Sequence, residues 1–319
     1  MKKIDLVIPC YNTHKTLHRL FGSIMSQNCK DEIHVIMVDD CSDVGYEEVI
    51  SPFRDILDIE IIRLEKNSGP GTARRVGMQA GTSKYIMFID SDDTFYNAFS
   101  VERLLYEIES RQCDIVYSDF LEDLENNQFL LHENDHIWVF GKIFKRNFLE
   151  SMNIYFNDTR SNEDNGFNTL TRCFTEPQYV NEITYIWHSN PRSITRINNA
   201  LYSFTCLEGQ VYNKIWAFKE AYKKGWKREY YIRQIIDQFL YYYFDYFHIK
   251  AQTREEIKPE LYIKWVSSFY NEFKDEIKEA IEHSAFEEEY KVGFINYYNN
   301  FDNIHIQDLT LDEFINLLK

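Results

Sequence analysis

The sequence predicts an α/β protein in which a mostly parallel sheet, flanked by helices, is followed by an α-helical C-terminal unit. Short apolar runs alternate with amphipathic stretches over the first half of the chain, as in a parallel sheet with helices on both faces. Beyond Asn199 the pattern changes to long helical periodicity. The length of 319 residues exceeds that of one typical domain. We therefore predict an α/β domain over residues 1–198 and a helical unit over residues 199–319.

The strands and helices of the first half follow from these alternating runs. Strands are predicted at Ile4–Cys10, Ile33–Asp39, Ile59–Leu64, Tyr85–Asp90 and Ile115–Ser118. Helices are predicted between them at Thr16–Gln27, Tyr46–Arg54, Gly71–Ala80 and Ser100–Arg111, the last with Ser100 as its N-cap. From residue 121 to residue 188 we expect hairpins, a short helix and a further strand at Tyr179–Trp187. The clearest later helices are Tyr230–Tyr246, Pro259–His283 and Leu311–Leu318.

Charge and composition exclude several classes of partner. A formal net charge of −16 repels the backbone of a nucleic acid and the surface of an anionic membrane. The six cysteines are widely spaced and lack metal-site spacing, which indicates reduced thiols in a cytoplasmic protein. No run reaches the roughly 20 apolar residues that cross a bilayer. We expect a cytoplasmic protein without a transmembrane segment, and a peripheral membrane association stays open.

Two acidic motifs follow predicted strands. The run Phe88–Asp93 ends in three carboxylates separated by one serine, and Asp39-Asp40 ends an earlier strand. Parallel strands bring both motifs to one edge of the sheet, where ligands bind in open α/β folds. Crowded carboxylates repel one another unless a cation shares them. The alternatives are a helix cap or solvated turn for the first motif, and capping of the next turn by Asp40 for the second.

A glycine-containing turn lies between these two motifs. Asn67–Gly71 leads into a predicted helix that carries Arg74 and Arg75 in its first turns. Backbone N–H groups and guanidinium groups suit a diphosphate, although an ordinary loop with surface arginines is the alternative. The turn lacks both the GxGxxG fingerprint and the Walker lysine, which disfavours a dinucleotide-binding dehydrogenase and a P-loop enzyme.

Taken in order, these segments resemble the family 2 glycosyltransferases, which have the GT-A fold, over residues 3–196. The matching segments are Val7–Asn12, Val38–Ser42, Asn67–Gly69 with Ala73–Arg75, Phe88–Asp93, Gly141–Phe144 and Asn162–Asp164. The chain departs from the family pattern at Cys41, where glycine is usual, and at Arg75, where asparagine is common.

The resemblance implies a binding site for a nucleotide-diphosphate sugar. Pro9, Tyr11 and Asp40 would frame the base, with Asp39 the less favoured acceptor for the ring N–H of uracil. Arg74 would face the diphosphate. Asn67 belongs to the same donor site.

In the acidic motif Phe88–Asp93, the resemblance assigns Asp90 and Ser91 to the donor, with Asp90 on the ribose or the sugar. Asp92 would hold Mn²⁺ or Mg²⁺, since hard oxygen ligands suit both ions. Asp93 is expected to be structural.

The acceptor side is implied by two further motifs. Asp164 would be the general base that takes the proton of the acceptor hydroxyl, and Glu163 would orient it. Without the other motifs, these acids would be interpreted as stabilising a helix N-terminus. Lys142 lies in the segment that resembles the acceptor-side lysine motif.

A last group of polar residues follows the strand at Tyr179–Trp187. His188 is either a further metal ligand or an ordinary structural histidine. Arg192, Ser193 and Arg196 would neutralise the departing diphosphate.

The resulting expectation is a metal-dependent, inverting glycosyltransferase that uses a UDP-sugar and a hydroxyl of a cell-surface glycan or polymer. One alternative is a sugar-1-phosphate nucleotidyltransferase, which needs a glycine- and arginine-rich loop where this chain has Tyr11–His14. The other is a degenerate, glycosyltransferase-like binding protein.

The helical unit matches no motif, but it carries an aromatic stripe. Its members are Tyr230, Tyr231, Ile235, Phe239, Tyr242, Tyr243 and Tyr246. Such a stripe indicates internal packing more often than ligand recognition. We also expect these helices to pack on the catalytic domain and to offer a surface for homo-oligomer formation or acceptor binding.

Overall fold

The computed structural model describes residues 2–124, 128–190, 200–251, 259–282 and 310–319. The chain divides into two compact units, Met1–Ile197 and Asn198–Lys319. In the described residues, the first unit carries all the strands and the second unit is helical.

The first unit is built on one mixed sheet. Its described strands are β1 (Ile4–Cys10), β2 (Ile33–Asp39), β3 (Asp58–Arg63), β4 (Tyr85–Phe88), β5 (Thr94–Phe95), β6 (Ile115–Asp123), β7 (Phe129–His132), β8 (Lys142–Lys145) and β9 (Gln178–Trp187). Their order is β3-β2-β1-β4-β8-β6-β9-β5, and β7 pairs with β6. Strand β1 is parallel to β2 and β4, and β2 is parallel to β3.

The other half of the sheet is mixed, because β9 is parallel to β6 but the other pairs in this half depart from the predicted, mostly parallel arrangement. Strand β8 runs antiparallel to both β4 and β6, and β7 runs antiparallel to β6. Parallel neighbours need a crossover of about a dozen residues, usually a helix. The described chain between β6 and β8 contains a strand instead of a crossover helix, and β8 therefore returns antiparallel.

Six helices are described in the first unit. They are α1 (Leu17–Met25), α2 (Glu47–Ile50), α3 (Pro70–Ala80), α4 (Ser100–Arg111), α5 (Arg146–Ser151) and α6 (Glu163–Arg172). The predicted helix Tyr46–Arg54 is shorter than expected, because Pro52 ends the α-helical hydrogen bonding and a 3₁₀ turn follows at Ser51–Phe53. The prediction of Ser100 as N-cap is wrong by one residue. Phe99 is the N-cap, and the Ser100 hydroxyl accepts the Asn97 N–H at 3.0 Å.

Helix α3 packs very closely on the sheet. A Cβ atom added at Gly77 would lie 2.4 Å from Cγ1 of Val7 in β1, so only glycine permits this approach. The helix begins directly after Gly69, whose φ of 90° is in the left-handed region. Because this tight turn connects the end of β3 to the start of α3, it lies at the edge where the parallel strands end.

The second unit has an aromatic core. Its described helices are α7 (Ala200–Lys223), α8 (Arg228–Ala251), α9 (Pro259–Glu282) and α10 (Leu311–Leu318). The stripe on α8 is buried from Tyr231 to Tyr246, and rings of α9 and α10 cover it. The ring centroids of Tyr242 and Phe269 are 5.2 Å apart, and those of Tyr246 and Phe314 are 5.5 Å apart.

The described rings of the stripe are buried in the core of their own unit, in line with the internal packing that the sequence favours; the Tyr230 side chain lies outside the description. Homo-oligomer formation through other surfaces of these helices stays a prediction. Among the described helices, none combines the length and the apolar composition that crossing a bilayer requires.

Candidate active site

The ends of β1, β2 and β4 lie side by side at one edge of the sheet, because β1 is parallel to both neighbours. Pro9 is half-buried near the end of β1, and Tyr11 follows the strand with 48% of its surface exposed. Asn12 has a φ of 55°, and its backbone N–H donates to Ser42 Oγ at 3.0 Å. The loops after β1 and β2 are thereby joined, and the Tyr11 ring is accessible at this edge.

Asp39 is occupied by contacts within the protein. Its carboxylate accepts the Ser42 N–H at 2.8 Å and a hydrogen bond from the Arg63 guanidinium. Arg63 ends β3 in register with Asp39. Sequence inspection missed Arg63, although the parallel register of β2 and β3 could have identified it. These contacts agree with the lower rank given to Asp39 as a base contact.

Asp40 holds the glycine turn. Its two carboxylate oxygens accept the backbone N–H groups of Ser68 at 2.6 Å and Gly69 at 2.7 Å. Asn67, in the same turn, accepts a hydrogen bond from Arg160 at 2.7 Å. Asp40 therefore links the end of β2 to the start of α3, and its contact with a base stays a prediction.

Arg74 joins two motifs that are far apart in the sequence. Its Nη1 donates to Glu163 Oε1 at 2.5 Å and its Nη2 donates to Asp90 Oδ1 at 2.6 Å. Arg74 is 5% exposed, whereas the Asp90 side chain retains 32% exposure. The guanidinium is thus enclosed between carboxylates, and its predicted contact with the diphosphate would add a third anionic partner.

The predicted structural role of Asp93 agrees with its contacts. Its carboxylate accepts hydrogen bonds from the Tyr185 hydroxyl at 2.6 Å and from the His188 N–H at 2.8 Å. The Tyr185 hydroxyl also accepts the Asp90 N–H at 3.2 Å. Tyr185, which the sequence analysis did not single out, therefore fixes the conformation of the acidic motif.

Ser91 and Asp92 occupy the centre of the motif. Ser91 is buried, and its carbonyl oxygen accepts from Thr16 Oγ1 at 2.8 Å. Asp92 is half-buried and accepts from Asn190 Nδ2 at 2.6 Å through one carboxylate oxygen. Burial raises the pKa of Asp92, and the charge of Asp90 adds to this rise.

His188 is held near the same motif. Its Nε2 lies 2.9 Å from Thr94 Oγ1, and its Nδ1 lies 3.6 Å from Asp123 Oδ2. Burial lowers the pKa of His188, which favours the neutral imidazole. A metal bound at Nε2 would replace the contact with Thr94.

Three other predicted residues lie outside the described residues: Arg192, Ser193 and Arg196.

Glu163 and Asp164 form the first turn of α6. Glu163 is 5% exposed and bonded to Arg74, whereas Asp164 is half-buried. Burial raises the pKa of Glu163, and the adjacent charge of Asp164 raises it further. Burial also raises the pKa of Asp164, and the charge of Arg74 opposes this effect. Because Glu163 is buried and Asp164 is half-buried, Asp164 is the more accessible of the two acids.

Lys142, in β8, is nearly buried. Its side chain donates to the His136 carbonyl at 2.5 Å, and the residue is 3% exposed. Burial, together with the charge of Arg172, lowers the pKa of Lys142 to about 7. A direct contact of this ammonium with an acceptor stays a prediction.

The side chains near Asp92 supply some of the oxygen ligands that a hard divalent cation needs. Over the described portion of the chain, no group of three His, Cys, Asp or Glu side chains could hold a metal by itself. Asp90 and Asp92 are close enough for their charges to interact, and carboxylate oxygens are the ligands that Mg²⁺ and Mn²⁺ prefer. The remaining ligands would have to come from the phosphates of a bound donor.

Comparison with known proteins decides the family. A sequence model described as glycosyl transferase family 2 matches residues 5–163, the segment that contains both acidic motifs, Arg74 and Glu163. This domain belongs to glycosyl transferase family 2.

Two similar proteins match a longer part of the chain than this family model does. The uncharacterized glycosyltransferase EpsJ of Bacillus subtilis is 30% identical over 223 residues, which cover 61% of this chain and 63% of EpsJ. The poly(ribitol-phosphate) beta-N-acetylglucosaminyltransferase TarS of Staphylococcus aureus is 27% identical over 197 residues, or 57% of this chain and 33% of TarS. The chain therefore spans less than two thirds of either relative.

A solved structure is similar in fold over most of the chain. The crystal structure of S. aureus TarS 1-349 in complex with UDP-GlcNAc superposes with a TM-score of 0.60. The match has 17% identity and covers 85% of this chain and 81% of the TarS chain. The likeness confirms the predicted α/β class with a helical C-terminal region.

Proposed function

We propose that this chain is a glycosyltransferase that transfers a sugar from a UDP-sugar to a hydroxyl of a cell-surface glycan or polymer. The observation that carries the proposal is the buried Arg74, which joins Asp90 of the donor motif to Glu163 of the acceptor motif. Through this link, a candidate general base is held beside a candidate donor site.

The choice of donor rests on the relatives. TarS is named an N-acetylglucosaminyltransferase acting on poly(ribitol-phosphate), and one TarS structure contains UDP-GlcNAc. We extend only the donor class and the polymeric kind of acceptor to this chain. The exposed ring of Tyr11 supports the proposal, since it offers a stacking surface for a base.

In the proposed reaction, Asp164 accepts the proton of the acceptor hydroxyl while that oxygen attacks the anomeric carbon. Glu163 keeps Arg74 and the start of α6 in place. A single displacement of this kind inverts the anomeric configuration. Asp92, with Asp90 beside it, would hold Mn²⁺ or Mg²⁺, which supplies positive charge to the diphosphate. A cytoplasmic location and association into oligomers remain parts of the proposal.

The family match disfavours the nucleotidyltransferase alternative. A turnover measurement tests the alternative of a degenerate binding protein, because such a protein would bind a nucleotide sugar without releasing UDP from it.

A two-step experiment tests the proposal. Thermal stability is measured with a panel of UDP- and GDP-sugars, including UDP-GlcNAc, with Mn²⁺ or with EDTA, because a ligand that binds the native state stabilises it. Release of UDP from the best donor is then measured with candidate glycan polymers. Stabilisation by no nucleotide sugar would contradict the proposal, and binding without UDP release would favour the non-enzymatic alternative.

A further inference from the structure

Arg19 lies beside the acidic motif, and the motifs discussed above give it no role. It is an exposed residue of α1, and its guanidinium donates a hydrogen bond to the main-chain carbonyl of Asp92. The start of α1 is attached to the same segment, because Thr16 Oγ1 donates to the Ser91 carbonyl at 2.8 Å. The position of Arg19 relative to Asp92 is therefore set by the fold.

Several other cations near this edge are held by acids or are buried. Arg74 is enclosed between Glu163 and Asp90, and Arg63 is bonded to Asp39. Lys142 is buried against a carbonyl. Arg160, like Arg19, donates to neutral oxygens, but these belong to Asn67 in the glycine turn. Within the described parts of the chain, the Arg19 guanidinium forms no ion pair, and its acceptor is the neutral carbonyl oxygen of Asp92 in the acidic motif.

Arg19 contacts the acidic motif directly, because its guanidinium donates to the main-chain carbonyl of Asp92, the predicted metal ligand. The donor's phosphates are expected at that metal. The Arg19 guanidinium therefore lies next to the place where the diphosphate would bind.

We propose that Arg19 binds a phosphate oxygen of the donor's diphosphate and stabilises the departing UDP. This inference rests on the proposed function. A guanidinium suits the task, because it stays charged and presents several donors in one plane to phosphate oxygens.

The charge that Arg19 would meet arises in the transfer itself. The bond from the acceptor oxygen to the anomeric carbon forms, and the bond from that carbon to the diphosphate oxygen breaks. The electron pair of the broken bond stays on the diphosphate, and the acceptor's proton goes to Asp164. Negative charge therefore increases on the diphosphate, where preorganised positive charge is most effective.

The test compares ligands with and without phosphates. Binding of UDP and of uridine is measured by calorimetry for the wild type, Arg19→Gln and Arg19→Lys, with and without Mn²⁺. The matched control is Arg54→Gln. Arg54 is also an exposed arginine that donates to a carbonyl, that of Ile59 at 3.0 Å, and it differs from Arg19 in pairing with Glu47 at 2.8 Å. Ile59 lies at the start of β3, where the parallel strands begin, so Arg54 is far from the ends of the strands that form the site.

We expect Arg19→Gln to weaken UDP binding about tenfold, as for the loss of one charge-assisted contact. Uridine binding should change less than about twofold, because it has no phosphate. Arg19→Lys should retain part of the UDP affinity, and Arg54→Gln should bind both ligands as the wild type does.

Three results would overturn the assignment. The first is UDP affinity that is unchanged in Arg19→Gln. The second is an equal loss of UDP and uridine affinity, which would assign Arg19 to support of the loop alone. The third is a wild type that binds neither ligand, which contradicts the proposed function and this inference together, whereas the first two results leave the proposed function intact.

Discussion

Replacement of Lys142 by methionine should stabilise the protein in a pH-dependent manner. The folded-state pKa of about 7 lies below the ordinary lysine value of 10.5. The unfolded chain therefore binds the proton more tightly between these two values, so wild-type stability should rise with pH from 7 to 10.5. Below pH 7 both states are protonated, and the cost of burying the charge is fully present. Methionine fills similar space and removes this titration.

The magnitude follows from the same two pKa values. Each pKa unit corresponds to about 1.4 kcal/mol, so two pH units within the window change wild-type stability by about 3 kcal/mol. The lost hydrogen bond to the His136 carbonyl costs about 1 kcal/mol at every pH, and this cost cancels when two pH values are compared.

The assay is chemical denaturation of the wild type and Lys142→Met at pH 7 and pH 9. The stability of the variant relative to the wild type should be about 3 kcal/mol more favourable at pH 7 than at pH 9. Lys84→Met is the control for the loss of a solvent-exposed lysine, because the Lys84 side chain is 60% exposed. A pH-independent effect of Lys142→Met would refute the claim that burial lowers the pKa of Lys142 in the folded state.

Three further predictions concern the chemistry and the packing. Asp164→Asn should lower turnover at least about 100-fold while UDP affinity changes less than about twofold, because a general base acts in the transition state. UDP release measures the turnover and calorimetry measures the UDP affinity. Lost UDP binding would move Asp164 to the donor site. Asp92→Asn should remove the Mn²⁺-dependent part of UDP affinity, and titration of UDP with and without Mn²⁺ checks this; undiminished metal dependence would exclude Asp92 as a ligand. Gly77→Ala should destabilise the fold by about 1–3 kcal/mol in a denaturation experiment, because the added methyl group would meet Val7. The control is Gly22→Ala, which has nothing within 4 Å of an added Cβ and should be neutral or stabilising in the same experiment.

Local features of the fold were predictable because they depend on short-range signals. Helix α4 spans Ser100–Arg111 as predicted, since its periodicity lies within one continuous segment. Strands β1 and β2 likewise have their predicted bounds. The antiparallel direction of β8 was not predictable in this way, because its partners β4 and β6 are other segments whose pairing the local pattern does not contain.

The candidate site shows the same division. The order of its motifs, and their places at the ends of strands, are written in the sequence, because an apolar run that ends in carboxylates predicts both the strand and its polar end. The pairing of Arg74 with Glu163 spans 89 positions and could be seen only in the tertiary structure.

The sequence by itself determined the α/β class, the helical C-terminal unit and the motifs of a family 2 domain, since each depends on neighbouring residues. The tertiary structure decided which charges are neutralised. It encloses Arg74 between carboxylates, buries Lys142 and leaves Arg19 facing a neutral carbonyl beside Asp92. Burial and ion pairing depend on which distant segments come together, and those contacts set the pKa and the available charge of each group.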